Sequence, residues 1–314
     1  MKMAITAAMV KELREMSGAG MMDCKKALTA TDGDMDKAVE FLREKGLATA
    51  QKKASRVAAE GLCKTLVAED AKKAVVVEVN AETDFVAKNE KFQNYVADVA
   101  AQALTTTAAD IEAFLAEPWA LDTTKTVKEA LAAQIAVIGE NMNIRRFAQM
   151  EEANGFIASY THMGGKIGVL VDVETDVVND EIKEMAKNVA MQVAALKPQY
   201  TSDSEISEEY IAHEKEILMA QIMNDPKESQ KPEKVIQGIV TGRIKKEMKE
   251  ICLLDQVYVK AEDGKQSVAN YVAQVAKANG ANVTIKGFVR YETGEGIEKK
   301  EENFAEEVAK QMGM

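Results

Sequence analysis

The first fifty residues carry hydrophobic positions at the spacing of short amphipathic helices, separated by polar and glycine-containing turns. Thr6 and Asp34 stand where side chains cap the first turn of a helix, and Ser17-Gly18-Ala19-Gly20 interrupts the first hydrophobic stripe. Gly46 follows the last stripe and is expected to end its helix. The pattern predicts a three-helix domain over residues 1–52, whose core is small for an independent fold.

After residue 60 the pattern changes to short valine-rich runs, which are typical of strands. Two such runs precede one helical stripe, and the chain repeats this order: residues 61–67, 74–79 and 89–104, then 155–161, 167–173 and 179–196. Each copy closes with a helix, a glycine and a strand, with matches at an offset of 141: Val127, Gly139, Asn141, Ile144 and Phe147 against Val268, Gly280, Asn282, Ile285 and Phe288. The repeat predicts an α+β fold in which helices cover one face of each antiparallel sheet.

The two copies predict two similar core subdomains, one over residues 53–152 and one formed by residues 153–197 and 255–292. The second is interrupted by residues 198–254, which have the periodicity of a helical hairpin of the coiled-coil type. The predicted seam of its first helix is Ile206, Tyr210, His213, Ile217, Ala220 and Asn224, and that of the returning helix is Ile236, Val240, Ile244, Met248 and Ile251. A projecting hairpin has few internal contacts, so it is expected to pack against a partner or a second copy of itself.

The last residues, 293–314, predict a C-terminal module built on one short helix. Asn303 can cap this helix, and Glu306 stands at the third helical position, which is the spacing of a capping box. The apolar face of the helix would consist of Phe304, Val308 and Met312.

One loop differs between the two copies and is the strongest candidate for function. Residues 75–79 match 169–173 at an offset of 94, whereas residues 89–92 match 179–182 at an offset of 90, so the first copy has four extra residues. A duplicated scaffold does not need a piece that only one copy has. The candidate residues of the longer loop are Thr83, Asp84, Phe85 and Val86.

Phe85 has two interpretations, a core side chain under the following helix or a side chain that projects toward a partner. Val177 or Val178 stands in the comparable loop of the second copy, so the scaffold does not require an aromatic residue there, which favours projection. Asp84 has an apparent counterpart in Glu174-Thr175-Asp176, which favours a structural role that both copies share, such as capping.

Composition narrows the class of protein. The chain has 314 residues and a net charge of −11, which disfavours direct binding to a nucleic-acid backbone. Its three cysteines are too few and too far apart in the sequence to indicate a disulfide framework or the spacing of metal ligands. No run is long and apolar enough for a membrane span, and the first residues do not resemble a signal peptide. A cytoplasmic protein is expected.

Motifs of catalytic chemistry are missing from the sequence. Its two histidines, His162 and His213, lack the neighbours of a nucleophilic triad. The glycines at residues 164–168 precede a predicted strand, so they do not match a phosphate-binding loop, which opens a helix. We therefore predict no catalytic residues, no metal site and no cofactor site. The protein is expected not to be an enzyme.

Several long motifs, in order along almost the whole chain, resemble the bacterial elongation factor Ts family. These are residues 10–15 with 18–28, Thr83-Asp84-Phe85-Val86-Ala87-Lys88, Gly139-Glu140-Asn141 with Ile144-Arg145-Arg146, and Gly294-Glu295-Gly296-Ile297-Glu298-Lys299. The resemblance implies a ubiquitin-associated-like N-terminal domain, two similar core subdomains, an inserted coiled-coil hairpin and a C-terminal helix. It implies a translation elongation factor that binds elongation factor Tu, both GDP-bound and nucleotide-free, and promotes GDP release.

The resemblance also implies which residues contact the partner. Asp84 and Phe85, with Thr83 and Val86, would reach the partner's Mg²⁺ and phosphate site and act as a wedge. A second contact is implied for the N-terminal domain, where Leu13 has the alternative of a core position and Met21 or Met22 is expected to be exposed. Further contacts are implied at His162, Gly165, Phe304 and Val308.

Two other functions are weighed against exchange. A general binding module would use the three-helix head and the hairpin, and self-association without nucleotide exchange would distinguish it. RNA binding is disfavoured by the net charge and would show a steep dependence of affinity on salt.

Overall fold

The N-terminal residues form the three helices that their hydrophobic pattern predicts. The structure, a computed structural model, describes residues 4–298. The Thr6 hydroxyl accepts a hydrogen bond from the Met9 amide at 3.3 Å, and the Asp34 carboxylate accepts one from the Lys37 amide at 3.1 Å, so both predicted caps are present. The helices are α1 Ala7–Ser17, α2 Met21–Ala30 and α3 Met35–Lys53.

Each copy of the repeat forms a three-stranded antiparallel sheet with helices on one face, as predicted. The first copy contains β1 Glu60–Val67, β2 Lys73–Ala81, α4 Asp84–Ala87, α5 Glu90–Thr105, α6 Ile111–Ala116, β3 Pro118–Trp119, β4 Asp122–Thr126, α7 Val127–Ile138 and β5 Met142–Glu151. The second contains β6 Gly155–His162, β7 Ile167–Thr175, α8 Asp180–Leu196, α9 Glu208–Asn224, α10 Glu233–Ile251, α11 Val268–Ala278 and β8 Val283–Glu292. The strand orders are β1-β2-β5 and β6-β7-β8, and β3 pairs with β4 in the connector of the first copy.

The sheet faces that the helices leave open pack against each other. Ala74 and Val76 of β2 meet Ile157 and Leu170 of the second sheet in one buried cluster, while Val77 faces the core under α5 and α7. The continuous hydrophobic run of β2 fits a strand that is covered on both faces. The two copies therefore form a four-layer core of helices, sheet, sheet and helices.

Gly46 does not end α3, contrary to the sequence prediction. The helix continues to Lys53, and Gly46 lies where it contacts α7, with the Ala132 carbonyl oxygen 3.6 Å from where a Cβ would stand. Beside it the Arg43 guanidinium donates to Glu129 Oε1, at 3.1 Å from Nε. Packing against α7 thus overrides the preference of glycine for a helix end.

The helices of the hairpin form as predicted, but α9 uses a different face. His213, Ile217, Ala220 and Asn224 were predicted on the seam and are exposed. A rotation of the helix places a cluster of aliphatic side chains against α10, whereas the predicted face would bury an imidazole and an amide. The cluster between the two helices contains Ile211, Leu218, Met219, Ile222, Ile236, Val240 and Ile244.

Glu78 of β2 is a fully buried carboxylate with four donors. Its Oε1 accepts from Arg145 Nη1 at 3.0 Å, from Asn80 Nδ2 at 3.0 Å and from the Gly294 amide at 2.8 Å. Its Oε2 accepts from Arg146 Nε at 2.6 Å. The carboxylate compensates its desolvation by these bonds and ties the segment after β8 to the first sheet.

Asp172 of β7 occupies the position in the second copy that Glu78 has in the first, beside a matching β-bulge. Its surroundings are the opposite, because its Oδ1 is buried without a hydrogen-bond partner and its neighbour is the buried Glu152. Burial raises the pKa of Asp172 to about 6, together with the hydrogen bond and the negative charge of Glu152.

Asp172→Asn is expected to remove part of the pH dependence of stability. Between the usual pKa of 3.8 and about 6, this carboxyl ionises in the unfolded chain but keeps its proton in the folded one. The contribution of Asp172 is therefore fully present below the lower value and is lost as pH rises through the upper one. The measurement is the difference in free energy of unfolding between wild type and variant across this window. A difference that is independent of pH would contradict the assignment.

Two further expectations concern the ends and the membrane. Across residues 4–298, no helix has the length and apolar character that a membrane crossing needs. The predicted C-terminal helix, with Phe304 and Val308, lies outside the described residues.

Candidate functional site

The helical turn α4 carries the residues that distinguish the first copy, and we name residues 83–86 the Phe85 turn. Thr83 caps it, since its Oγ1 accepts from the Val86 amide at 3.4 Å. Val86 packs against the first hydrophobic core and Ala87 is buried, which anchors the turn. The Phe85 side chain is 80% exposed, so the structure excludes its interpretation as a core residue.

Hydrogen bonds at the ends of β2 and β7 show where the extra residues are inserted. Glu82 accepts from the Asn141 amide at 2.5 Å, and Asp176 accepts from the Asn282 amide at 2.8 Å. Because Asn141 and Asn282 hold matched positions, the counterpart of Asp176 is Glu82. The predicted equivalence of Asp84 with an acid of the second copy is therefore wrong. The insertion begins directly after Glu82, and Asp84 belongs to it.

Asp84 carries a negative charge at the base of the exposed ring. Its Oδ2 accepts from Lys88 Nζ at 2.7 Å, and this bond lowers the pKa of the carboxyl, to which the charge of Lys166 contributes. Its role is not capping, because Thr83 provides the cap. The Phe85 turn thus offers an ionised carboxylate beside an exposed aromatic ring.

The turn between β6 and β7 also contacts β1, as the Phe85 turn does. His162 is exposed there, with Nδ1 at 2.9 Å from the Tyr160 hydroxyl. Gly165 is buried at φ +100°, and a Cβ would stand 2.7 Å from Leu62 Cδ2, so Gly165 shapes the turn and exposes no contact surface. Met163, which sequence reasoning missed, is 70% exposed at the tip. Its position directly before a glycine pair was the available signal.

The N-terminal candidates separate into core and surface. Leu13 is fully buried among the three helices, so its surface is not accessible to a partner and the prediction of a contact at this residue is not supported. Met21 and Met22 are 60% and 64% exposed. They border a groove of about 590 Å³ whose other lining residues include Ile5, Val10 and the cations Lys11, Arg14 and Lys25.

The described residues offer little for covalent or metal chemistry. Across residues 4–298, no three His, Cys, Asp or Glu side chains are grouped to hold a metal ion. Burial raises the pKa of the Cys63 thiol to about 12 and that of the Cys252 thiol to about 11, so neither is a thiolate at neutral pH. What the surface offers is apolar side chains on anchored turns, which suit binding to a partner.

Comparison with known proteins gives the family. The model of the family "Elongation factor TS" matches residues 82–295. Elongation factor Ts of Clostridium novyi (strain NT) is 53% identical over 308 residues, which cover 98% of this chain and 99% of the relative. Elongation factor Ts of Clostridioides difficile (strain 630) is 52% identical over 308 residues with the same coverage. This chain belongs to the elongation factor Ts family.

Membership of the elongation factor Ts family makes the protein a translation elongation factor. The matched region starts at Glu82, next to the Phe85 turn, and ends at Glu295, next to the Gly294 amide that Glu78 binds. Similarity to whole elongation factor Ts chains extends further and includes the N-terminal helices, since it covers 98% of the present chain.

Proposed function

We propose that this protein binds elongation factor Tu in its GDP-bound and nucleotide-free forms and promotes the release of GDP, so that GTP can load. The observation that carries the proposal is the Phe85 ring, which is 80% exposed on a turn anchored at both ends. A large aromatic side chain gains free energy when a partner covers it. The second copy of the scaffold does without this turn, so its presence calls for a role in binding.

Exchange requires only differences in binding free energy. A factor that binds nucleotide-free elongation factor Tu more tightly than the GDP complex must weaken the affinity for GDP by the same ratio. A ring inserted beside the partner's phosphate-binding loops and Mg²⁺ site would displace the groups that hold the nucleotide. No covalent step is needed for this coupling.

The charge of the Phe85 turn suits this mechanism. Asp84 is ionised at neutral pH and lies next to Phe85 in the chain, so both would reach the same part of the partner. In the free protein this carboxylate is paired with Lys88. Released from that pair on insertion, it would be an oxygen ligand of the kind that Mg²⁺ prefers and would compete with the groups that hold the metal.

Further contacts are proposed away from the nucleotide. Met21 and Met22 border the apolar groove of the N-terminal helices, and methionine side chains adapt well to a partner surface. His162 is proposed to contact another part of elongation factor Tu. Phe304 and Val308 are proposed as contacts on sequence grounds alone.

The test is release of a fluorescent GDP analogue from elongation factor Tu, with and without substoichiometric amounts of this protein. Acceleration in which one molecule of the protein serves many of elongation factor Tu would support the exchange function. Binding without acceleration would contradict it and favour a general binding module.

The hairpin is proposed as an interaction element, either between two copies or against elongation factor Tu. Ile217, Met223 and Val235 are 37%, 56% and 46% exposed on it, although residues of this type are usually buried. Sedimentation of the free protein and of its complex distinguishes the two, with Met223→Lys as the probe. If the free protein is a monomer and Met223→Lys does not weaken its complex with elongation factor Tu, both roles of the hairpin would be contradicted.

A further inference from the structure

The Phe85 turn is held by a carboxylate from a distant part of the first copy. Glu140 lies in the turn between α7 and β5, and its Oε2 accepts from the Thr83 amide at 3.0 Å. Its Oε1 accepts from the Thr83 hydroxyl at 2.7 Å. One carboxylate therefore binds both the backbone and the side chain of the residue that begins the turn.

The contact continues toward the exposed ring. The Thr83 oxygen that donates to Glu140 also accepts from the Val86 amide at 3.4 Å, which closes the helical turn around Phe85. Because hydrogen bonds to a charged group are stronger than neutral ones, Glu140 fixes the start of the turn. The direction of the Phe85 side chain follows from that geometry.

Glu140 itself lies on a fixed support. The neighbouring Gly139 carbonyl oxygen accepts from Lys53 Nζ at 2.5 Å, and Asn141 Nδ2 donates to the Arg56 carbonyl oxygen at 2.7 Å. The turn that carries Glu140 is thus bound to the end of α3 and the segment after it. A rigid support is what a group needs in order to position another group.

The second copy shows which of these contacts the scaffold requires. The bond between Glu82 and Asn141 has a counterpart in the bond between Asp176 and Asn282, so it belongs to the shared scaffold. At the offset of 141 that relates the two copies, Glu140 corresponds to Ala281. The carboxylate and the turn that it holds are both absent from the second copy.

We propose that Glu140 is a positioning residue for nucleotide exchange, which holds the Phe85 turn in the conformation that enters the partner. This inference rests on the proposed exchange function. Glu140 acts through Thr83 and itself contacts neither nucleotide nor metal. The energetic reason is preorganisation, since a turn that is ordered before binding loses less conformational entropy when it inserts.

Glu140→Ala, which installs the residue of the second copy, is expected to lower the kcat of GDP release about tenfold. The KM for the complex of elongation factor Tu with GDP should change less than twofold, because the other contact surfaces are intact. Glu140→Gln keeps one acceptor and is expected to restore part of the rate. The double variant with Phe85→Ala should be no slower than Phe85→Ala alone, since both changes remove the same contribution.

The control is Asp176→Ala, which breaks the counterpart of the Glu82–Asn141 scaffold bond in the second copy and is expected to release GDP at the wild-type rate. Amide hydrogen exchange of residues 83–87 in the free protein gives an independent readout, with faster exchange expected in Glu140→Ala only. Wild-type kcat in Glu140→Ala, or effects of Glu140→Ala and Phe85→Ala that multiply, would overturn the proposal. The amides of residues 83–87 could exchange faster in Glu140→Ala while even the wild type fails to accelerate GDP release. In that case the proposed exchange function would be wrong, but the contact by which Glu140 holds the turn would be supported.

Discussion

Phe85→Ala is expected to reduce kcat/KM for GDP release from elongation factor Tu by roughly 30-fold, because covering the ring contributes about 2 kcal/mol. The folded state should hardly change, since the side chain is 80% exposed and leaves no cavity when truncated. The measurement combines stopped-flow release of fluorescent GDP with thermal unfolding of the same variant. A lower rate with an unchanged melting temperature would locate the effect in the contact with the partner.

The chain offers a matched control in the loop of the second copy. Val178 is 50% exposed and follows β7 as the Phe85 turn follows β2, so Val178→Ala also removes an exposed apolar group. We expect this variant to exchange at the wild-type rate. Equal losses in both variants would show that apolar surface in general supports the contact. Full activity of Phe85→Ala would contradict the wedge.

Glu78→Ala is expected to lower the free energy of unfolding by about 3 kcal/mol, because it removes the acceptor of two partly buried arginines and of two buried donors. The substitution removes the acceptor of Arg145, Arg146, Asn80 and the Gly294 amide at once. Arg146 keeps its position 4.0 Å above the Tyr291 ring, with Glu295 Oε2, 3.5 Å from its Nη2, as the remaining carboxylate partner. Urea unfolding at neutral pH measures the loss, and a change below about 1 kcal/mol, the value of an exposed ion pair, would contradict it.

The direction of the pKa shift of Glu78 predicts a pH dependence of this contribution. Burial alone would raise the pKa, but the Gly294 amide, Asn80 and Arg146 outweigh it, so the pKa lies below the usual 4.5. The stabilisation is therefore present above that value and is lost as pH falls through the lowered pKa. The stability difference between wild type and Glu78→Ala should shrink in acid. The matched Asp172→Asn variant should show no comparable loss at neutral pH, because Asp172 lacks such donors.

Local patterns in the sequence predicted the elements of this fold well. Capping by Thr6 and Asp34 and the hydrophobic period of each helix depend on residues a few positions apart, so they can be read along the chain. Comparison of the two copies located the Phe85 turn for the same reason, since a duplicated scaffold reveals an insertion by its change of offset. The alignment was wrong at Asp84, because both Glu82 and Asp84 resemble Asp176 of the second copy. Only the hydrogen bond between Glu82 and Asn141 shows that Glu82 is the counterpart.

Packing between distant segments determines which face of each element is buried and what holds the Phe85 turn. Leu13 had a core position and a partner contact as alternatives, and the packing of three helices buries it, whereas Met21 is exposed, as expected for Met21 or Met22. Packing against α10 determines which face of α9 is buried. The face of each sheet that its helices leave open is covered by the other sheet. The bond from Thr83 to Glu140 spans 57 residues, and that from Gly294 to Glu78 spans 216. The caps could be predicted from the sequence because they depend on neighbouring residues, and the α+β repeat and its insertion because the two copies can be aligned with each other. The buried charge of Glu78 and the support of the Phe85 turn by Glu140 depend on contacts between residues far apart in the chain. The hydrophobic periodicity of a segment does not indicate which distant residues it will contact.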